Sequence, residues 1–124
     1  MGGNGFNSPA FIKNAGAAAE GVMVGTSWNS LSKDAAKQKF LAAMQKVGVN
    51  PDQFSAQAYT GVLILAEAVK QSGGKTTRAD IEAGLAKIKD FETPLGKFSF
   101  TADRDAQHEP SVQQVKDGKF QIVQ

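Results

Sequence analysis

The chain's one histidine, His108, lies in the run Asp103 to Pro110 (DRDAQHEP), with Asp103, Asp105 and Glu109 beside it. A histidine among carboxylates is the raw material of general acid–base or triad chemistry, and a run opening Asp-x-Asp-x-Gln has the ligand spacing of a calcium loop. Neither chemistry is complete. The calcium pattern lacks its glycine at the sixth position and has Gln114 where its closing glutamate belongs, and no Gly-x-Ser-x-Gly elbow supplies a nucleophile. His108 is therefore read as a surface turn residue, with no catalytic residue and no metal ligand. The Gly-rich opening Met1 to Asn7 precedes a short helix and has the composition of a phosphate cradle, yet no strand leads into it and no Lys-Ser or Lys-Thr follows. The absence of cysteine removes disulfides, thiolate metal sites and thiol nucleophiles together.

Size and charge narrow the classes further. With 124 residues the chain is at most one domain, large enough to bury a real core. Its net charge of +2 comes from scattered lysines and only two arginines, so no clustered cationic surface for nucleic acid is expected. The start MGGNGF has neither the basic nor the apolar region of a signal peptide, and no apolar run approaches the roughly 18 residues of a membrane span. As it stands, the chain reads as soluble, without an address or a cofactor.

The elements that must hold any site follow from caps and periodicity. Asn50 to Gly74 is the longest apolar stretch and reads as the central helix: Asn50 as N-cap, Pro51 at the first helical position, Asp52 at the positive dipole end, Gln53 reaching back to the cap, Gly73 and Gly74 as the stop. Ala58, Val62, Leu65 and Val69 form its inward face, widened by Phe54, Leu63, Ile64, Ala66 and Ala68, and Gly61 at mid-helix predicts a close backbone approach. Upstream, Ser8 and Pro9 start a short helix ended by Gly16. Val22 to Val24 reads as a strand of parallel type, and a helix from Ser32 to Gly48 turns Ala36, Phe40, Met44 and Val47 inward. Downstream, Thr77 and Asp80 cap a third long helix with Ile81, Leu85 and Ile88 on one face. Lys97 to Thr101 alternates as a strand nearer an edge than the first, and Asp117-Gly118 turns a C-terminal hairpin pairing Val115 with Phe120 and Val112 with Val123. The result is an α/β fold with three main helices, a short parallel-type strand and a C-terminal β-hairpin.

In order and spacing, GNGFNSPAFIKNAGAAAEGVMVGTSW, AYTGVLILAEAV, TPLGKFSFTADRD and VQQVKDGKFQIV resemble the C-terminal part of the type I periplasmic solute-binding proteins, nearest to the branched-chain amino acid receptors of ABC transporters. The most specific marks are Ala15-Gly16 through Glu20-Gly21, Ala58-Tyr59, and Gly96 through Phe100. The resemblance implies a three-layer-like fragment of a non-catalytic, periplasmic receptor that closes two lobes on a small solute and presents it to an ABC permease. It also implies that the chain crosses between lobes at Trp28 to Leu31 and Asp103 to Pro110, with residues 1–28 and 111–124 in one lobe and 32–102 in the other. The family's Gly-x-Glu-Gly loop matches Gly3-Asn4-Gly5, so Asn4 stands where a carboxylate meets an amino acid's ammonium group, and an amide there suits a carboxylate or amide solute better. Phe54 matches an apolar wall of the pocket, and Phe6 could line the same side. Ligand contacts are thus expected at Asn4, Gly5, Phe6 and Phe54. Helices with more apolar surface than so few strands can cover predict self-association, as a homo-oligomer or a dimer with exchanged elements.

Overall fold

The computed structural model describes residues 1–123. A 3-10 turn at Asn4–Phe6 leads into α1 (Pro9–Ala15), followed by β1 (Met23–Thr26), α2 (Ala35–Lys46), α3 (Gln53–Gln71) and α4 (Arg78–Leu85). Then come β2 (Phe91–Thr93), β3 (Gly96–Phe100), β4 (Ala106–Gln107), β5 (Ser111–Lys116) and β6 (Lys119–Ile122). Three helices begin as their caps dictate. The Ser8 hydroxyl accepts from the Ala10 amide, Asp34 from Ala36 and Lys37, and Thr77 from Asp80. The cap of α2 is thus Asp34, two residues after the expected start at Ser32, and at α3 too the start lies further on than expected. Asp52, not Asn50, is the N-cap, and it forms a capping box with Ser55 in which each side chain bonds the other's backbone N–H. Two orphan donors are satisfied that way, which leaves Pro51 outside the helix and frees Gln53 to turn inward.

The strands form two antiparallel three-stranded sheets, β1-β5-β6 and β2-β3-β4. The C-terminal hairpin has the expected register, Val115 opposite Phe120, with the Val123 amide bonded to the Val112 carbonyl. Asp117 and Gly118 both have positive φ, as a two-residue turn of this kind requires. Its Lys116–Lys119 pair is offset by Glu20, whose carboxylate accepts from both turn amides, Asp117 at 2.9 Å and Gly118 at 3.3 Å. The ladder of β1 is antiparallel, with β5; among the described residues the only parallel contact at this strand is the bridge from Gly2 to Val24. Edge and centre are also exchanged relative to expectation, since β1 borders its sheet while β3 lies between β2 and β4. Strand β2 supplies the missing neighbour: Pro94 and Leu95 are the buried tip of a tight hairpin in which the Thr93 hydroxyl accepts from the Leu95 amide and donates to the Gly96 carbonyl.

Two apolar clusters hold the helices. Trp28, Phe40, Ala56 and Leu95 form one, flanked by Leu41 and Met44; Ile64, Ala68, Ile88 and Phe98 form the other, flanked by Ile81, Leu85, Phe91 and Phe100. The covered face of α3 is therefore Gln53, Ala56, Thr60, Ile64 and Ala68; of the residues expected inward Ile64 and Ala68 are buried, whereas Ala58, Val62 at 67% and Leu65 at 53% are exposed. Small side chains decide this. α4 crosses so near to α3 that a Cβ at Gly84 would lie 2.2 Å from the Ala68 carbonyl oxygen, an approach that Val62 or Leu65 would prevent. Gly61, where a close approach was expected, faces open space. Val47, read as an inward position of α2, lies one residue beyond the helix and is exposed, because the helix stops at Lys46.

Candidate functional site

Asn4, Gly5 and Phe6 form the 3-10 turn and all are exposed. The turn is closed by the Asn7 amide, which donates to the Asn4 carbonyl at 2.9 Å. The Phe6 ring lies edge-on against Phe11, centroids 4.9 Å apart, and covers Gly2 so closely that a Cβ there would overlap the ring. Phe54 projects from the first turn of α3 and is 48% exposed. These sequence-predicted residues are thus a polar turn and an aromatic side chain on two separate segments, both open to solvent.

Beneath them lies a buried hydrogen-bonded cluster that sequence reasoning missed. The side-chain oxygen of Gln53, a residue 1% exposed, accepts from the Trp28 backbone amide at 2.9 Å, the Thr26 hydroxyl at 2.6 Å and the Asn7 amide group at 3.2 Å. The Asn7 amide group also reaches Thr26 and the Trp28 carbonyl. On the other side, Gln113 donates to Asn7 and accepts from Asn29 at 2.7 Å, and the Asn29 oxygen in turn accepts from the Leu31 amide. Five polar side chains from the N-terminal turn, β1, the segment after it, α3 and β5 so meet in one place. Each is buried and each is partnered, as burial of a polar group requires. One signal was readable: in a strand with Val115 inward, Gln113 two residues earlier shares the covered face.

A cleft of about 80 Å³ opens over this cluster, lined by Asn7, Trp28, Asn29, Asp52, Gln113 and Phe120 among others. A second, of about 270 Å³, is lined by residues from the start of α2, the β2–β3 hairpin and the run before β5, among them Asp34, Glu92, Glu109, Lys37 and Lys97. Neither of these two clefts is lined by Asn4, Gly5, Phe6 or Phe54. His108 is not a free surface residue but a half-buried one, its Nδ1 2.7 Å from the Ser27 hydroxyl, pinning the polar turn to the segment after β1. Among the described residues no group of His, Asp or Glu is arranged to hold a metal ion, and no helix is long and apolar enough to cross a membrane.

The chain belongs to the periplasmic binding protein family, whose profile matches residues 2–119. Its relatives are branched-chain amino acid receptors of type I fold. The Leu/Ile/Val-binding protein homolog 4 of Brucella abortus is 32% identical over 120 residues, 94% of this chain and 29% of the relative. The branched-chain amino acid transporter substrate-binding protein LivJ of Streptococcus pneumoniae, solved in complex with isoleucine, is 31% identical with a TM-score of 0.84, over 98% of this chain and 36% of that one. The leucine-binding protein LivK of Thermotoga maritima superposes with a TM-score of 0.86 at 24% identity, over 98% and 35% of the two chains, a likeness of fold. The chain spans 29% of the length of the curated relatives it matches.

Proposed function

We propose that this chain is a non-catalytic, periplasmic solute-binding element of an ABC-type importer, for amino acids or related small carboxylates and amides, which it would present to an ABC permease. Asn4, Gly5, Phe6 and Phe54 supply its share of the solute contacts. Residues 1–28 and 111–124 belong to one lobe and 32–102 to the other, with crossings at Trp28 to Leu31 and Asp103 to Pro110. The observation that carries this reading is the bond between Asn7, which closes the Asn4 turn, and Gln53, which precedes Phe54, because it ties the two exposed segments together across the crossing. The test is thermal stabilisation by isoleucine, an aromatic acid such as benzoate, and an aliphatic amide. A bound solute at 100 times its Kd stabilises by about 2.7 kcal/mol. The acid or the amide is expected to outperform isoleucine, and Asn4→Glu is expected to reverse that order by giving the ammonium group a carboxylate partner. No stabilisation by any of the three would overturn solute binding.

The open face of α3 favours a second reading, a self-assembling α/β unit without a solute. Phe54, Val62 and Leu65 project on the side away from the core, with Ala58 and Gly61 between them, and apolar surface of this kind is ordinarily covered by a partner. Light scattering at micromolar concentration is expected to give a homodimer mass that falls to the monomer in Val62→Asp; a monomer in the parent chain would refute it.

A further inference from the structure

We propose that Gln53 is a positioning residue that couples the Asn4 turn to Phe54 through the segment Thr26 to Asn29. The inference rests on the assignment of Asn4 and Phe54 above. A carbonyl oxygen has two lone pairs, yet that of Gln53 is approached by three donors, from residues 25, 27 and 46 positions away in the chain. One donor, Asn7, holds the Asn4 carbonyl through its own backbone amide, and the residue after Gln53 is Phe54. From one exposed segment to the other the path is therefore Asn4, Asn7, Gln53, Phe54, with one hydrogen bond at each of its first two steps and a peptide bond at the last. The third segment is locked at the same point, since the Trp28 amide and the Thr26 hydroxyl also end on that oxygen. A side chain needed only for its volume could be a methionine. An amide oxygen at the meeting point of three segments instead fixes their mutual register, since the only other partners of its donors are the Thr26 hydroxyl and the Trp28 carbonyl of the same cluster, and shifting any segment strips buried donors of a bond.

The experiment compares Gln53→Met, which keeps shape and removes the acceptor, with Gln53→Glu, which keeps an acceptor oxygen, by amide hydrogen exchange in the 124-residue chain. In Gln53→Met the amides of Asn7 and Trp28 are expected to exchange about tenfold faster, the scale of one hydrogen bond of local stability, while those of Ile64 and Ile88 in the second cluster keep their rates. Gln53→Glu is expected to restore slow exchange at Asn7 and Trp28. The solute that stabilises the parent chain should bind Gln53→Met about tenfold more weakly, although Gln53 is too buried to touch it. Unchanged rates at Asn7 and Trp28, or an equal rise at Ile64 and Ile88 as a purely structural role would give, overturns the coupling. Should Gln53→Met fail to fold, Asn7→Asp removes one of the three donors while keeping the oxygen that accepts from Gln113, and is read by the Trp28 amide. If the parent chain binds none of the three solutes, the proposed function falls and the exchange rates alone decide the coupling.

Discussion

Phe40→Ala is expected to cost about 3–5 kcal/mol of folding stability, a large share of the roughly 5–15 kcal/mol that holds a domain together. The Phe40 ring is 1% exposed and is the common contact of three segments. It stands edge-on to Trp28 at 5.1 Å and 84°, tilts against Tyr59 of α3 at 4.9 Å, and shares its cluster with Ala56 and Leu95. Truncation removes the ring's transfer free energy and leaves a cavity whose walls belong to a helix, a hairpin tip and the segment after β1. These cannot collapse onto it together. Urea denaturation followed by the fluorescence of Trp28, the chain's one tryptophan, measures the loss at the cluster itself. A midpoint unchanged from the parent would show that the ring is not packed as described.

A pair of glycine substitutions in neighbouring helices should move stability in opposite directions. Gly84→Ala places a Cβ 2.2 Å from the Ala68 carbonyl oxygen, 2.9 Å from its carbon and 3.1 Å from its Cα, all backbone atoms that no rotamer change can clear. The helices must separate, and overpacking of this kind costs about 1–3 kcal/mol. Gly61→Ala meets nothing within 4 Å and gains helix propensity, about 1 kcal/mol in the stabilising direction. Alanine is the better helix former at both positions, so thermal melts that raise Tm for both would show that α3 and α4 do not cross at Ala68 and Gly84.

Those glycines also illustrate what periodicity can and cannot read. Local signals with a fixed geometry were legible: Ser8-Pro9, Thr77 and Asp80, Asp117-Gly118 with its register, and the family itself, whose marks lie in order along the chain. Which side of α3 is covered was not. Its larger aliphatic residues, Val62 and Leu65, give the stronger stripe, whereas close packing by α4 selects Ala68, and Trp28, Phe40 and Leu95 cover Ala56. The polar cluster was hidden for the same reason. Counting apolar residues assigns Gln53 to a cap and passes over Asn7 and Gln113, because a buried amide is identified only by its partners, which lie up to 106 residues away. Strand β2 was lost to its brevity, three residues followed at once by Pro94. The expected solute contacts are of another kind: they came from resemblance alone, and all four residues are exposed.

The cluster joining the N-terminal turn, β1, α3 and β5 is assembled entirely from neutral groups: the amides of Asn7, Asn29, Gln53 and Gln113 and the hydroxyl of Thr26. None of these side chains gains or loses a proton between acid and alkaline conditions, and none carries a charge for dissolved ions to screen. A joint of this composition does not itself answer to the acidity or salinity of the surrounding medium.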